Sequence, residues 1–171
     1  SFNESGLSQG EKHEIAGEVL SQGLRFYNGK TEEDAAKALA YFKEADKLGH
    51  MKAARYIGLL YQEGRGVPKN DKETASWFKK GAEDGDITSQ YLLGKCYEDG
   101  TGVERDYALA LKWYRKSAER GDIIAAPGMT GEALLLEKGL GGERNLPLAR
   151  QLLTKAAALG YAPAKEALAA L

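Results

Sequence analysis

Residues 97–122, YEDGTGVERDYALALKWYRKSAERGD, set a Gly-x-Gly-Val loop ahead of an aromatic-rich, helix-like run that stops at a glycine. Most of this stretch occurs twice. Thirty-six positions earlier stands YQEGRGVPKNDKETASWFKKGAEDGD, residues 61–86, with the glycines and the aromatic pair in register. Self-similarity at a fixed period of this size marks a repeat array, whose units bury their apolar faces only against their neighbours.

Working outward, the aromatic pairs Tyr41-Phe42, Trp77-Phe78 and Trp113-Tyr114 recur every 36 residues, and Leu152-Leu153 continues the series at 39. Gly49, Gly85, Gly121 and Gly160 follow the pairs, and Gly29, Gly64, Gly100 and Gly139 precede them. Four copies result, about 14–49, 50–85, 86–121 and 122–160, with 161–171 as a short terminal cap. Together they make one domain over residues 13–171. Residues 1–12, SFNESGLSQGEK, are polar and lack apolar periodicity, so they read as a flexible terminal segment, with helical patterning from about Glu14.

Each copy reads as helix A, loop, helix B and turn. In the second copy Ala53, Ile57, Leu60, Tyr61 and Gly64 follow helical spacing; Ser89, Leu93, Cys96, Tyr97 and Gly100 do so in the third. Asn70 and Asp106 suit the N-cap of helix B, because a side-chain oxygen accepts first-turn N–H groups, and Asp34 and Asn145 stand at the same place in the outer copies. Gly23, Gly58 and Gly94 recur inside helix A, where each costs about 1 kcal/mol relative to alanine. That repeated cost predicts a close crossing in which an aromatic of helix B lies against the backbone. In the fourth copy three extra residues separate Gly121 from Gly139, and Pro127, Gly128 and Gly131 predict a broken or delayed helix A.

The chain is 29% charged and 43% hydrophobic, within the range of soluble globular domains. Its 24 basic and 25 acidic residues give a net charge of −1, without the basic excess that nucleic-acid binding demands. No apolar run reaches the length of a membrane span. Cys96 is the only cysteine, too few for an internal disulfide or a thiolate metal site. The sequence starts at Ser1 rather than methionine, which suggests a processed or truncated chain and leaves compartment open between bacterial periplasmic or secreted and cytoplasmic.

Candidate chemistry is sparse. The loops Gly64-Arg65-Gly66 and Gly100-Thr101-Gly102 lie between helices, whereas a nucleotide-binding loop follows a strand. Gly29-Lys30-Thr31 supplies the end of such a motif, but its first glycine would fall at Leu24. His13 and His50 have no neighbouring nucleophile or ligand pattern, and Cys96 aligns with Leu60, a core position. Carboxylate pairs such as Glu83-Asp84 and Glu98-Asp99 read as solvated. The expectation is a chain with no catalytic residues, no metal site and no cofactor.

The unit resembles the Sel-one-like repeat, a relative of the tetratricopeptide repeat. The resemblance rests on Ser89, Leu93-Gly94, Tyr97, Gly100, Gly102-Val103, Asp106, Ala110, Trp113-Tyr114, Ala118 and Gly121, with Thr74 and Phe78 as departures in the second copy. The first copy lacks the Gly-x-Gly-Val loop, and the single Cys96 sets the chain apart from the branch with two cysteines per repeat, with which beta-lactam binding is associated. The resemblance implies an all-α, right-handed α/α solenoid of about four helix-turn-helix repeats with a C-terminal capping helix. By analogy with tetratricopeptide solenoids, helix A lines a concave face. Its positions not committed to packing are Leu24, Tyr27, Lys52, Arg55, Leu59, Gln62, Thr88, Tyr91, Lys95, Asp99, Leu134 and Lys138. These are expected to bind a peptide or partner protein as a non-catalytic scaffold; an ordinary mixed solvated face is the plain alternative. Two other functions stay open: a small-ligand or cell-wall-fragment module near Pro127–Gly131, and an inhibitor or immunity-type partner of one enzyme. Oligomeric state is not legible.

Overall fold

The computed structural model describes residues 6–171, and among these the chain forms nine α helices and no strands. They are α1 (Gln9–Tyr27), α2 (Glu32–Lys47), α3 (Ala53–Glu63), α4 (Asp71–Glu83), α5 (Ile87–Asp99), α6 (Tyr107–Ala118), α7 (Ala126–Lys138), α8 (Leu146–Ala158) and α9 (Ala162–Ala169). Odd-numbered helices α1 to α7 are helices A of the four copies, and even-numbered ones are helices B. The chain divides into two compact units, one holding α1–α4 and ending at Asp84, the other holding α5–α9 and starting at Gly85.

Local chemistry sets the helix ends. The Asn70, Asp106 and Asn145 side chains accept from the third N–H of α4, α6 and α8 at 3.0–3.1 Å, each satisfying an orphan first-turn donor. In the first copy the cap is Thr31 rather than Asp34. Asp34 is the third helical residue, and its carboxylate returns a bond to the Thr31 N–H in a reciprocal capping box. The N-terminal expectation also shifts: α1 begins at Gln9, because Ser8 and Glu11 form a second capping box, so Gln9–Lys12 is helix rather than tether. Residues 1–5 lie outside the described residues.

In the first unit Phe42 and Phe78 fill the core, both fully buried. A Cβ added to Gly23 would lie 2.6 Å from Phe42, and one on Gly58 would lie 2.5 Å from Phe78, so the recurrent helix A glycine makes room for the helix B ring. In the second unit Tyr114 is gripped from two sides, with Cβ positions 2.7 Å away at Gly94 of α5 and 2.8 Å away at Gly131 of α7. The fourth copy carries Ala133 and Leu153 at the equivalent positions, both fully buried. A methyl and a smaller side chain replace a hydrogen and a ring.

The two members of each aromatic pair do different work. The second is core throughout, whereas the first grades outward: Trp113 is 9% exposed, Trp77 half-buried and Tyr41 36% exposed. Trp113 therefore joins the second members in the core, whereas Trp77 and Tyr41 do not.

Within each unit the Gly-x-Gly loop of the second copy joins it to the first. Gly66, at φ +71°, sits on the first turn of α2, where a Cβ would lie 2.7 Å from the Ala35 and Ala36 backbone. Gly141, at φ +77°, sits in the same way on α6, with a Cβ 2.2 Å from the Tyr107 carbonyl oxygen. Arg65 adds hydrogen bonds to the Tyr27 and Gly29 carbonyls, and Glu32 accepts from the Gly66 N–H. In the fourth copy the three extra residues form a 3-10 turn, Ile123–Ala125, and α7 then runs unbroken from Ala126 with Pro127 in its first turn. Proline is tolerated there because the missing N–H would have had no intrahelical partner. Helix A is delayed, as expected, but not broken.

Candidate functional site

The sequence-predicted helix A positions fall on one stripe of each helix, since spacings of three and four residues return to the same face. All twelve are solvent-accessible: Lys52, Lys95, Asp99 and Lys138 are exposed, and the rest half-buried. Within each unit the structure brings them together.

In the first unit the stripe is built on stacked rings. Tyr27 of α1 meets Tyr56 of α3 edge-on at 5.5 Å, and Tyr56 stacks on Phe42 at 5.1 Å. Arg65 lies over Tyr27 at 5.0 Å and Arg55 over Tyr56 at 5.2 Å. Burial, and to a lesser degree Glu63, raises the Tyr27 hydroxyl above its ordinary pKa. Leu24 packs on the core, and Leu59 and Gln62 of α3 are half-buried beside the rings.

In the second unit Tyr91 of α5 contacts Tyr114 at 5.8 Å and hydrogen-bonds Tyr161, just ahead of α9. Tyr114 donates to Glu98 at 2.6 Å, a bond between helices that the reading of Glu98 as a solvated carboxylate missed. Burial and that carboxylate hold the Tyr114 hydroxyl far above its usual pKa; burial also raises Tyr91 and Tyr161. Lys95 and Asp99 place both charge signs beside these hydroxyls. On α7, Glu132 is 8% exposed and is met by Arg115 of α6 at 3.2 Å. Burial raises its pKa, and the guanidinium opposes the rise.

His13 is exposed, and His50 Nδ1 accepts from the Lys52 N–H at 3.2 Å. Cys96 is a buried thiol on the core side of α5. Among the described residues no cluster of His, Cys, Asp or Glu is arranged to hold a metal, and no helix is long and apolar enough to cross a membrane. The Pro127–Gly131 segment is packed tight: Cβ positions at Gly128 and Gly131 fall 1.8 Å from Ser117 Oγ and 2.8 Å from Tyr114. That leaves little space there for the ligand considered for it.

This arrangement of helix pairs can be set beside known proteins. The Sel1 repeat matches at residues 19–50, 52–86, 87–122 and 129–161. The chain belongs to the Sel1 repeat family. Among solved structures it is similar to a protective antigen of uropathogenic Escherichia coli with an SLR fold, at 30% identity over 91% of this chain and 34% of that one, with a TM-score of 0.78. It is also similar to a Sel1 repeat protein from Oxalobacter formigenes, at 31% identity over 88% of this chain and 57% of that one, with a TM-score of 0.76. The chain thus spans about a third and somewhat over half of these two relatives. Helicobacter pylori cysteine rich protein B, at 23% identity, 82% and 98% coverage and a TM-score of 0.61, shares the fold. No curated protein matches. Sel1 repeats generally mediate protein–protein interaction, and Sel1-repeat proteins are typically non-catalytic scaffolds.

One surface of this Sel1 array went unread in the sequence. Ile15, Val19 and Phe26 of α1 and Lys37, Ala40, Tyr41 and Glu44 of α2 line an open, largely apolar groove of about 870 Å³. Phe26 and Tyr41 stack at 5.6 Å on its floor, with Lys37 5.3 Å above the Phe26 ring. A signal was present: three residues after the first aromatic of each pair stand Lys80, Lys116 and Lys155, but Glu44 in the first copy.

Proposed function

We propose that this chain is a non-catalytic scaffold that binds an extended peptide or a helix of a partner protein on its helix A faces. The observation that carries this reading is the Tyr27/Arg55/Leu59 stripe together with the Tyr91/Lys95/Asp99 stripe. Each exposes ring edges, an aliphatic or methylene surface and charge on helices whose other faces are consumed by packing. Half-exposed tyrosines and arginines on rigid helices suit protein recognition, since they give large contact area at low cost in side-chain entropy. Leu24 and Leu59 would supply apolar contact, while Lys52, Arg55 and Lys95 would engage carboxylates of the partner.

The test is affinity capture from the native cell lysate with the wild type and with Leu59→Asp/Lys95→Glu, after both are shown to melt alike. A photo-crosslinker at position 59 or 95 should then label the retained protein, and one at exposed Lys79 or Lys112 of helix B should not. Equal retention by both proteins, or labelling from the helix B positions alone, would move the interaction off helix A.

A further inference from the structure

The groove between α1 and α2 is the face that, in the second and fourth copies, receives the preceding copy of the same unit. Val19 is half-buried, whereas its equivalents Ala54 and Met129 are 1% exposed. Inside each unit the covering element is the preceding helix B, and a lysine of the covered copy marks its C-terminal end. Lys80 of α4 pairs with Asp46 in the last turn of α2. Lys155 of α8 lies with its Nζ 2.8 Å from where a Cβ on Gly121, just past α6, would sit. A cation at that place complements the negative end of the covering helix.

The first copy inverts this. Glu44 stands where the others carry lysine, and Lys37 stands at the other end of the groove where the others carry Glu73, Leu109 and Leu148. An element like α2, ending in a carboxylate, would bring its negative end and Asp46 onto Glu44. We propose that the groove docks an amphipathic α helix of a partner protein, running parallel to α2, acidic in its first turns and carrying lysine or arginine in its last. Its apolar side covers Val19, Phe26 and Tyr41, its first turns meet Lys37, and its terminal cation pairs with Glu44. This site is separate from the helix A stripes and does not rest on them.

The covered copies supply the probe. A peptide of residues 31–50, held helical by a side-chain cross-link at positions 37 and 41, reproduces the element that covers α3 and α4. Residues 37 and 41 line the α1–α2 groove rather than the side that covers the second copy. Its first turn already carries Glu32, Glu33 and Asp34. Fluorescence anisotropy with the full chain should show the Asp46→Lys peptide binding about tenfold more tightly than the unsubstituted one, the scale of exchanging a like-charge for an opposite-charge contact near a helix end. Glu44→Lys in the protein should reverse the order. Tyr41→Ala, at a 36% exposed side chain and therefore tolerable to the fold, should weaken both peptides. Equal affinity of the two peptides, an unchanged order on Glu44→Lys, binding indifferent to Tyr41→Ala, or saturation only through self-association of the chain would each overturn the proposal.

Discussion

Gly58→Ala separates two forces that act on one atom. Helix propensity alone predicts a gain of about 1 kcal/mol, because Gly58 lies inside α3 and alanine is the best helix former. The structure predicts a loss. The new methyl would stand 2.5 Å from Phe78 Cε1, 2.6 Å from Cδ1 and 3.3 Å from the Thr74 carbonyl oxygen. Carbon pairs settle at about 3.5–4.0 Å, so the ring must retreat by about 1 Å. Phe78 is fully buried, so the ring has no solvent to retreat into and must press on its packed neighbours. Overpacking of this kind costs about 1–3 kcal/mol, which leaves a net destabilisation of up to about 2 kcal/mol after the propensity gain.

The fourth copy shows the remedy, since Ala133 and Leu153 occupy these two places. In a Phe78→Leu background, Gly58→Ala should therefore become neutral or stabilising by up to about 1 kcal/mol, giving a coupling of about 2 kcal/mol in the double-mutant cycle. Gly17→Ala is the control, for no atom lies within 4 Å of its Cβ position in α1, and it should show only the propensity gain. Urea denaturation followed by far-ultraviolet circular dichroism, with the slope checked for constancy, reads every variant. If Gly58→Ala stabilised the protein as much as Gly17→Ala does, or had the same effect with Phe78 in place as in the Phe78→Leu background, the close-crossing argument would be wrong.

Gly66→Ala, with φ +71° and a Cβ 2.7 Å from the α2 backbone, should cost clearly more than Gly49→Ala, where φ is +91° but the space is open, because only the first adds a backbone clash to left-handed strain; urea midpoints compare them. Asn70→Ala should cost about 1 kcal/mol in the same assay through the lost cap of α4. The hydroxyls of Tyr114, Tyr91, Tyr161 and Tyr27 are raised in the fold, so their stabilisation is complete below the unfolded tyrosine pKa of about 10 and is lost as pH climbs from there toward the folded values. Denaturation midpoints should fall above about pH 10, and Tyr114→Phe should make that fall shallower.

How much of this was legible in the sequence depends on whether a position answers to its own helix or to another one. The period of 36, the turn glycines and the caps Asn70, Asp106 and Asn145 are local, and each is where the repeat places it. The Gly58–Phe78 contact was legible too, because a glycine that recurs inside helices needs a crossing partner. The early start of α1 was hidden by Gly10 and Gly17, which weaken the apolar pattern while the capping box at Ser8 and Glu11 supplies the end. At the start of α2 the cap is Thr31 rather than Asp34, because both residues suit the role and only backbone geometry decides between them. The different exposure of Tyr41 and Trp77 depends on how much of the neighbouring copy reaches them, which no single helix encodes. The candidate surface followed the same division: membership of the helix A stripe came from spacing, whereas the Tyr91–Tyr161 and Tyr114–Glu98 bonds come from tertiary packing.

The repeat itself tells which departures bear on function. A position under packing constraint changes in concert with its contact, as Gly58 with Phe78 gives way to Ala133 with Leu153, and volume is exchanged across one interface. Glu44 behaves differently. It replaces a lysine found at Lys80, Lys116 and Lys155, yet the neighbouring Phe42 remains fully buried and the glycine opposite, Gly23, is kept. A charge reversed with no change in the core beneath it answers to something outside that core. Arg55 and Tyr91 show the same independence on helix A, where the small and apolar residues Ile57 and Leu93 keep the core fixed while the accessible neighbour changes chemistry. Such positions change chemistry while the core beneath them is kept, and a repeat array can therefore acquire a different partner at each face while every copy folds by the same rule.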